Sequence, residues 1–355
     1  MSQHRISIKP WVVLVGGFLG AGKTTLILEA ARMLKARNIR CAAILNDQSE
    51  ELVDTLQAEL RGIASREVTG GCFCCRLSDL RSTIADLLNY APEVIFAEPV
   101  GSCTDLVATV LNPLLQEFEL CRVAPFTVLV DPKRVEAMQG LDIDSDMQFL
   151  WRKQLQEADI VCMTKADIYP SAMQIPGVRT RRISARAGQG IAEWLDEVLS
   201  GTLTVGSQSL DIDYERYAQA EAALAWLNLS LKITLPAAAS PAMMAGPLLD
   251  GIDHALTSAN IPIVHLKMIA RASTGWIKAA LCANGDEPTV DGDLDASPDI
   301  HHELLLNLRA AASPEQVRAI IEEQVAVLPG EVSELKLACF SPAAPKPERR
   351  IPVLS

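Results

Sequence analysis

GGFLGAGKTTL, Gly16 to Leu26, decides how the rest of this chain is read. The apolar run WVVLV (Trp11 to Val15) leads into it and the amphipathic run LILEAARMLKAR leads out. That order predicts strand, glycine-rich turn and helix. Gly17, Gly22, Lys23 and Thr24 fill every fixed position of G-x-x-x-x-G-K-[ST], the phosphate-cradling loop. The chemistry requires those residue types. Glycines let backbone N–H groups converge on an anion with no Cβ in the way, and the following helix turns its positive end toward it. Lys23 is spaced to reach the outer phosphates and Thr24 to place a hydroxyl on Mg²⁺. A ligandless glycine-rich turn would need neither. Gly17, Gly20, Ala21, Gly22, Lys23, Thr24 and Thr25 are therefore the expected phosphate contacts.

Composition narrows the partners. With 355 residues the chain is long enough for two domains, each with its own core. A net charge of −12 and a pI near 5.0 argue against non-specific nucleic-acid binding, which needs a basic footprint. No apolar run approaches the length of a membrane span, and MSQHRISIKP lacks the core of a signal peptide, so a cytoplasmic protein with no membrane partner is expected. In that compartment the nine cysteines should be reduced, and clustered ones point to metal or redox chemistry.

Apolar runs alternate with amphipathic ones up to about residue 200. RCAAILND, REVT, PEVIFAEPVG, PFTVLVD, ADIVCMTKAD and VRTRRISA read as strands. Helices are expected near Glu50 to Arg61, over LSDLRSTIADLLNY, Asp105 to Glu117, DMQFLWRKQLQEA and IAEWLDEVL. This alternation predicts an α/β fold, a parallel sheet with helices on both faces and ligands at the carboxyl ends of its strands. Residues 1–200 form that expected domain and 201–221 a linker. Residues 222–340 form a smaller α+β domain of β-α-β-β-type order with five expected strands and two helices, and the proline-bearing stretch 341–355 a disordered tail.

The chemistry-bearing side chains fall at predicted strand ends. Asp47 closes ILND and either binds Mg²⁺ or caps a loop. Glu98 in FAEPVG sits where a phosphate-loop enzyme keeps a carboxylate for Mg²⁺ or water. In TKAD, Asp167 is suited to accept two hydrogen bonds from a guanine edge while the Lys165 stem packs on the ring. ISA would offer backbone donors, through Ser184 and Ala185, to the guanine oxygen. Together these elements favour GTP over ATP. Cys72, Cys74 and Cys75 in GGCFCC form a second centre, three soft ligands within four residues. The alternatives are a Cys72/Cys75 redox pair or plain packing. Cys41, Cys103, Cys121, Cys162, Cys282 and Cys339 read as core, and His301 with His302 as a solvated strand end.

Taken together, these motifs resemble the CobW-type GTPase family, relatives of the UreG and HypB nickel-insertion GTPases. GGFLGAGKTT is similar to the family's phosphate loop, GGCFCC to its C-x-C-C element and EPVG to its Glu-x-x-Gly stretch. QLQEADIVCMTKAD and RRISA are similar to its guanine-recognition elements. The resemblance spans roughly Trp11 to Leu199. It departs at Thr164, where the family usually has Asn, and in lacking a His-rich tract. ILND is closer to the nickel-insertion relatives, in which the aspartate helps hold Mg²⁺. The resemblance implies a GTPase that cycles between GTP and GDP with Mg²⁺ and couples nucleotide state to delivery of Zn²⁺ or Co²⁺. Lys23, Glu98 and Asp47 would be catalytic, and Thr164, Lys165, Asp167, Ser184 and Ala185 would hold the base. Thr24 and Asp47 would hold Mg²⁺, and Cys72, Cys74 and Cys75 the cargo. The implied partner is a client metalloprotein or cofactor-assembly enzyme, with a homodimer left open. The alternative is a regulatory or assembly GTPase for a metallo- or cobalamin enzyme, its cysteines structural or redox-active. The fourth metal ligand is expected to be water, a client group, or an acidic side chain such as Glu50 or Glu51.

Overall fold

The structure, a computed structural model, describes residues 9–48, 53–140, 145–171, 175 and 178–353. Glu50 and Glu51 lie outside the described residues. The chain divides into two compact units. The first takes the described residues to Tyr217, except Val53, together with the segment from Pro345; the second takes Val53 and Ala218–Ala344.

The first unit is a parallel sheet with crossover helices. Its strands are β1 (Trp11–Gly17), β2 (Cys41–Asn46), β3 (Ala64–Val68), β4 (Val94–Glu98), β5 (Arg122–Val123), β6 (Thr127–Val130), β7 (Ile160–Met163) and β8 (Thr180–Arg182). They lie in the order β3-β2-β4-β1-β6-β7-β8, with β5 beside β1, and every pairing is parallel. Consecutive residues of β1 and β4 are buried whichever face they point to, as a sheet covered on both sides requires. The helices are α1 (Lys23–Ala36), α2 (Val53–Leu60), α3 (Leu77–Leu87), α4 (Asn112–Glu117), α5 (Pro132–Gln139), α6 (Asp146–Gln156) and α7 (Ile191–Val198), with α8 (Tyr214–Ala222) crossing into the second unit. Leu26, Ile27, Ala30 and Leu34 of α1 pack with Ile191, Trp194 and Leu195 of α7 over Val13, Val15, Phe96 and Leu129. Trp194 keeps its indole N–H satisfied there by donating to Thr127 Oγ1 at 3.0 Å.

In the second unit, β9 (Ala225–Ala239), β10 (Ile263–Ala272), β11 (Gly275–Leu281), β12 (Thr289–Gly292), β13 (Asp299–Ala310) and β14 (Glu331–Phe340) form an antiparallel sheet ordered β12-β11-β10-β13-β9-β14. Alternate residues of β9 (Leu227, Leu229, Leu231, Ile233) join a core shared with α9 (Pro241–Ser258) and α10 (Pro314–Ala326). Ser240 and Ser313 cap those helices, the latter in a reciprocal capping box with Gln316. This is the expected smaller α+β unit with one added strand, β12.

The helix expected from about Asp105 to Glu117 is present, wound as a π-helix over Val107–Leu111 and running on into α4. Three expectations change. The stretch 201–221, read as a linker, carries most of α8, and Tyr217 there is buried with its hydroxyl accepting the Thr104 N–H at 3.1 Å. His302 is buried rather than solvated, its Nε2 2.9 Å from Asp299 O. The stretch 341–355, read as disordered, holds a strap on the first unit. Glu348 N–H donates to Cys74 O at 3.0 Å, and the Glu348 carboxylate takes the Ser78 N–H and hydroxyl, both at 2.8 Å. Arg350 Nε lies 2.8 Å from the buried Asp105 Oδ2, and Ile351 N–H donates to Ala108 O at 2.7 Å. Prolines here hold an extended segment whose backbone and charges find partners, so low apolar content did not mean disorder.

Candidate functional site

The parallel register lines up the chemistry-bearing residues along one edge of the sheet. Val68 pairs with Asn46, Leu45 with Glu98, Ala97 with Leu14, Gly17 with Leu129, and Val130 with Met163. The cysteine turn, Asp47, Glu98, the glycine loop, Asp131 and TKAD thus all follow the carboxyl ends of neighbouring strands, where open α/β sheets bind ligands.

Backbone geometry explains the glycines of the loop. Gly17 has φ of +130°, and a Cβ there would stand 2.5 Å from Leu129 O. Gly22, at +92°, is the residue before the first turn of α1 and has open space around it. Lys23 folds back so that Nζ donates to Gly17 O at 3.0 Å and lies 3.9 Å from Glu98 Oε1. Thr24 Oγ1 donates to Glu98 Oε1 at 3.1 Å. A hydroxyl and a carboxylate, both buried and both hard oxygen donors, are ligands of the kind Mg²⁺ takes. Asp47 is half-buried and accepts the Gln48 N–H at 2.7 Å.

The two stretches expected to hold a base are joined by backbone. Ile183 N–H donates to Met163 O at 2.9 Å and Ala166 N–H to Ile183 O at 3.1 Å, so TKAD and ISA form one corner. Thr164 is buried, its hydroxyl donating to Val130 O at 3.1 Å. Lys165 adopts φ of +55° and pairs through Nζ with Asp131 Oδ2 at 2.6 Å. Asp167 stands exposed, while Ser184 is buried and takes the Ala187 N–H on its hydroxyl.

The three cysteines converge. Their sulfurs lie within 4.8 Å of one another, with Cys72–Cys74 at 2.8 Å, Cys72–Cys75 at 3.4 Å and Cys74–Cys75 at 3.7 Å. A tetrahedral ion with bonds of about 2.3 Å needs sulfur–sulfur edges of roughly 3.8 Å, so small side-chain movements would seat it. All are free thiols; Cys72 and Cys74 are buried and Cys75 half-buried. Thiol hydrogen bonds from Cys103, Cys74 and Cys75 hold Cys72 well below the ordinary thiol value. Cys74 is pushed up, chiefly by Cys103 and Cys72, and Cys75 is pushed up to about 11 by its bond to Cys72. One thiolate supported by neighbouring thiols is a start toward a soft-metal ligand set.

Sequence reasoning missed four contributors. Asn46, the last residue of β2, ties the cysteine turn to that strand through three side-chain hydrogen bonds. Asp131 caps α5 by accepting the Lys133 N–H at 3.0 Å while it pairs with Lys165. Cys103 meets the cysteine cluster instead of plain apolar core. From the strap, Lys346 N–H donates to Cys75 Sγ at 3.1 Å. Only Asn46 and Asp131 carried a signal, as polar residues closing apolar strands.

A family model described as CobW/HypB/UreG, nucleotide-binding domain, matches residues 11–190. The chain is similar to the zinc chaperone YjiA of Escherichia coli (strain K12), with 31% identity over 181 residues, covering 50% of this chain and 55% of that protein. It is 28% identical over 191 residues to the zinc chaperone CobW of Pseudomonas aeruginosa, covering 44% and 48%. The chain spans about half the length of the curated relatives it matches. Among solved structures it is similar to Zn(II)-bound YjiA GTPase from E. coli (16% identity, TM-score 0.36, 89% and 99% coverage). It is also similar to HypB from Helicobacter pylori in complex with nickel (15%, 0.40, 57% and 92%).

Proposed function

Because the chain belongs to the CobW/HypB/UreG nucleotide-binding-domain family, we propose that it is a GTP-hydrolysing metallochaperone whose cargo, Zn²⁺ or Co²⁺, sits on Cys72, Cys74 and Cys75. The observation that carries this reading is the convergence of three thiols on the sheet edge that also holds the phosphate loop. In this mechanism the loop N–H groups from Gly20 to Thr25 and Lys23 grip the phosphates. Thr24 and Asp47 would hold Mg²⁺, which would supply positive charge against the β- and γ-phosphates. Glu98, already hydrogen-bonded to Thr24, orients the attacking water or the Mg²⁺ shell. Asp167 accepts the guanine N–H donors, Lys165 packs on the ring, and the backbone at Ser184 and Ala185 meets its oxygen. Asn46 and Asp47 are adjacent, so a segment that answers to γ-phosphate also anchors the cysteine turn.

Metal affinity should then differ between nucleotide states, and reciprocity makes metal shift GTP affinity by the same factor. A coupling of roughly 1–3 kcal/mol corresponds to about 5–150-fold. Competition titration of Zn²⁺ and Co²⁺ with a GTP analogue or GDP present tests this. Equal affinity in both states would demote the cysteines to a structural or redox element, in a regulatory or assembly GTPase for a metalloenzyme. The burial of Cys72 and Cys74 is the observation that favours that second reading.

A further inference from the structure

We infer that Cys103 is the fourth thiolate of the cysteine centre, so that a soft divalent ion is enclosed by Cys72, Cys74, Cys75 and Cys103. This rests on the reading that the cysteines bind metal at all. Cys103 is buried, and its thiol hydrogen-bonds to the side chains of both Cys72 and Cys74. It approaches Cys72 and Cys74 from outside the turn; the three sulfurs that lie within 4.8 Å of one another are those of Cys72, Cys74 and Cys75, so Cys103 joins them as a fourth vertex by a side-chain movement. Three ligands from one tight turn leave a tetrahedral ion a vertex short, and a sulfur from the turn after β4, two strands away, fills it. Four sulfurs select a soft or borderline ion of the zinc class over hard cations.

The backbone at Cys103 is held in place for this. Its N–H donates to Val100 O at 3.0 Å, and Gln154 Nε2 donates to both Gly101 O and Cys103 O at 2.9 Å. Gln154 is itself buried, so the turn is pinned from below. The same turn begins at Glu98, which takes the Thr24 hydroxyl, and runs close past the phosphate loop. A Cβ on Gly101 would lie 2.8 Å from Leu19 Cδ2 and 3.0 Å from Lys23 Nζ. The four ligands thus come from two separately anchored segments. Cys72, Cys74 and Cys75 hang from Asn46 and the strap; Cys103 hangs from the segment that touches Lys23 and Thr24. A shift between these segments opens the tetrahedron at the Cys103 vertex.

X-ray absorption at the zinc edge of the full chain loaded with one equivalent of Zn²⁺ counts the sulfurs directly. Four sulfurs at about 2.3 Å are expected in the wild type and three in Cys103→Ser. Co²⁺ titration of the same proteins should show the sulfur-to-cobalt charge-transfer band reduced by about a quarter in Cys103→Ser. Affinity should fall by at least about tenfold, the least that loss of an outer partner costs a metal site. Three sulfurs in the wild type, or an unchanged band and affinity in Cys103→Ser, would overturn the inference while leaving metal binding intact. Absence of stoichiometric metal on the wild type, or binding that survives Cys72→Ser with Cys74→Ser, would remove the metal reading itself. Should Cys103→Ser fail a circular-dichroism check of folding, the wild-type sulfur count decides alone.

Discussion

Asn46 Oδ1 accepts the Phe73 backbone N–H at 2.8 Å, and its Nδ2 reaches Val68 O and Gly71 O at the same distance. One buried amide thereby fixes both sides of the turn that carries the cysteines. The side chain that organises this centre bears no sulfur and belongs to a different strand.

Replacing Asn46 with Ala should weaken metal binding although every thiol remains. Three hydrogen bonds vanish, and the Phe73 N–H and Gly71 O lose a partner in a buried site. A loss of about 2–3 kcal/mol in stability is expected from net bond values plus unsatisfied groups. Urea unfolding and Zn²⁺ competition read the two effects. Unchanged metal affinity would mean that the turn holds its shape without β2.

Lys23→Ala should lower GTP turnover by at least about 10²-fold, the scale of losing one strong electrostatic contact to a transferring group. The far-UV spectrum should stay wild-type, since the Nζ contacts to the Gly17 carbonyl and to Glu98 are side-chain contacts and no helix or strand hydrogen bond depends on them. Phosphate release under multiple turnover checks it; wild-type rates would remove the phosphate-loop mechanism.

The base preference is read by Asp167→Asn. Exchanging an acceptor for a donor suits the edge of xanthine better than that of guanine, so the ratio of GTP to XTP affinity should reverse. Thr164 is turned inward onto Val130 O while Asp167 is exposed, so on the proposed reading Asp167 would be the side chain that selects the base. Equal binding of ATP and GTP by the wild type would refute this.

Glu157 sets a pH dependence. It is fully buried, accepts the Thr104 hydroxyl at 3.2 Å and the Val107 N–H at 3.1 Å, and lies near Asp105; burial pushes its carboxyl up to about 8. In the unfolded chain it titrates at about 4.3. The folded form therefore holds a proton that the unfolded form has lost between those values. Its stabilisation is complete below about pH 4 and lost as pH rises through about 8. The urea midpoint should fall from pH 5.5 to 8 in the wild type and stay flatter in Glu157→Gln. Parallel profiles would show that another group titrates.

Most of the architecture was legible because two signals are local. Apolar runs of four to six residues separated by helix-length amphipathic runs specify a covered parallel sheet, and glycine spacing marks the loop after β1. The three clustered cysteines were readable for the same reason. Cys103 was not, because its role depends on β4 lying two strands from β3, with β2 between them, a neighbourhood no sequence window contains. α5 was missed because Asp131 and Pro132, its cap and first residue, also read as the end of a strand and a breaker. The strap defeated composition, since its order comes from Asp105, Ser78 and Ala108, which lie more than two hundred residues away.

The strap has a consequence for biosynthesis. Chain emerging from a ribosome delivers the phosphate loop, the cysteine turn and Cys103 long before Lys346, because Ala218–Ala344 intervene. A nascent first unit thus carries thiols lacking the Lys346 and Glu348 contacts for as long as the second unit takes to be made. On the metallochaperone reading, that interval is a window in which a metal ion would meet the cysteines without the 345–351 segment laid across them, so loading before and after that segment is made would be kinetically different events.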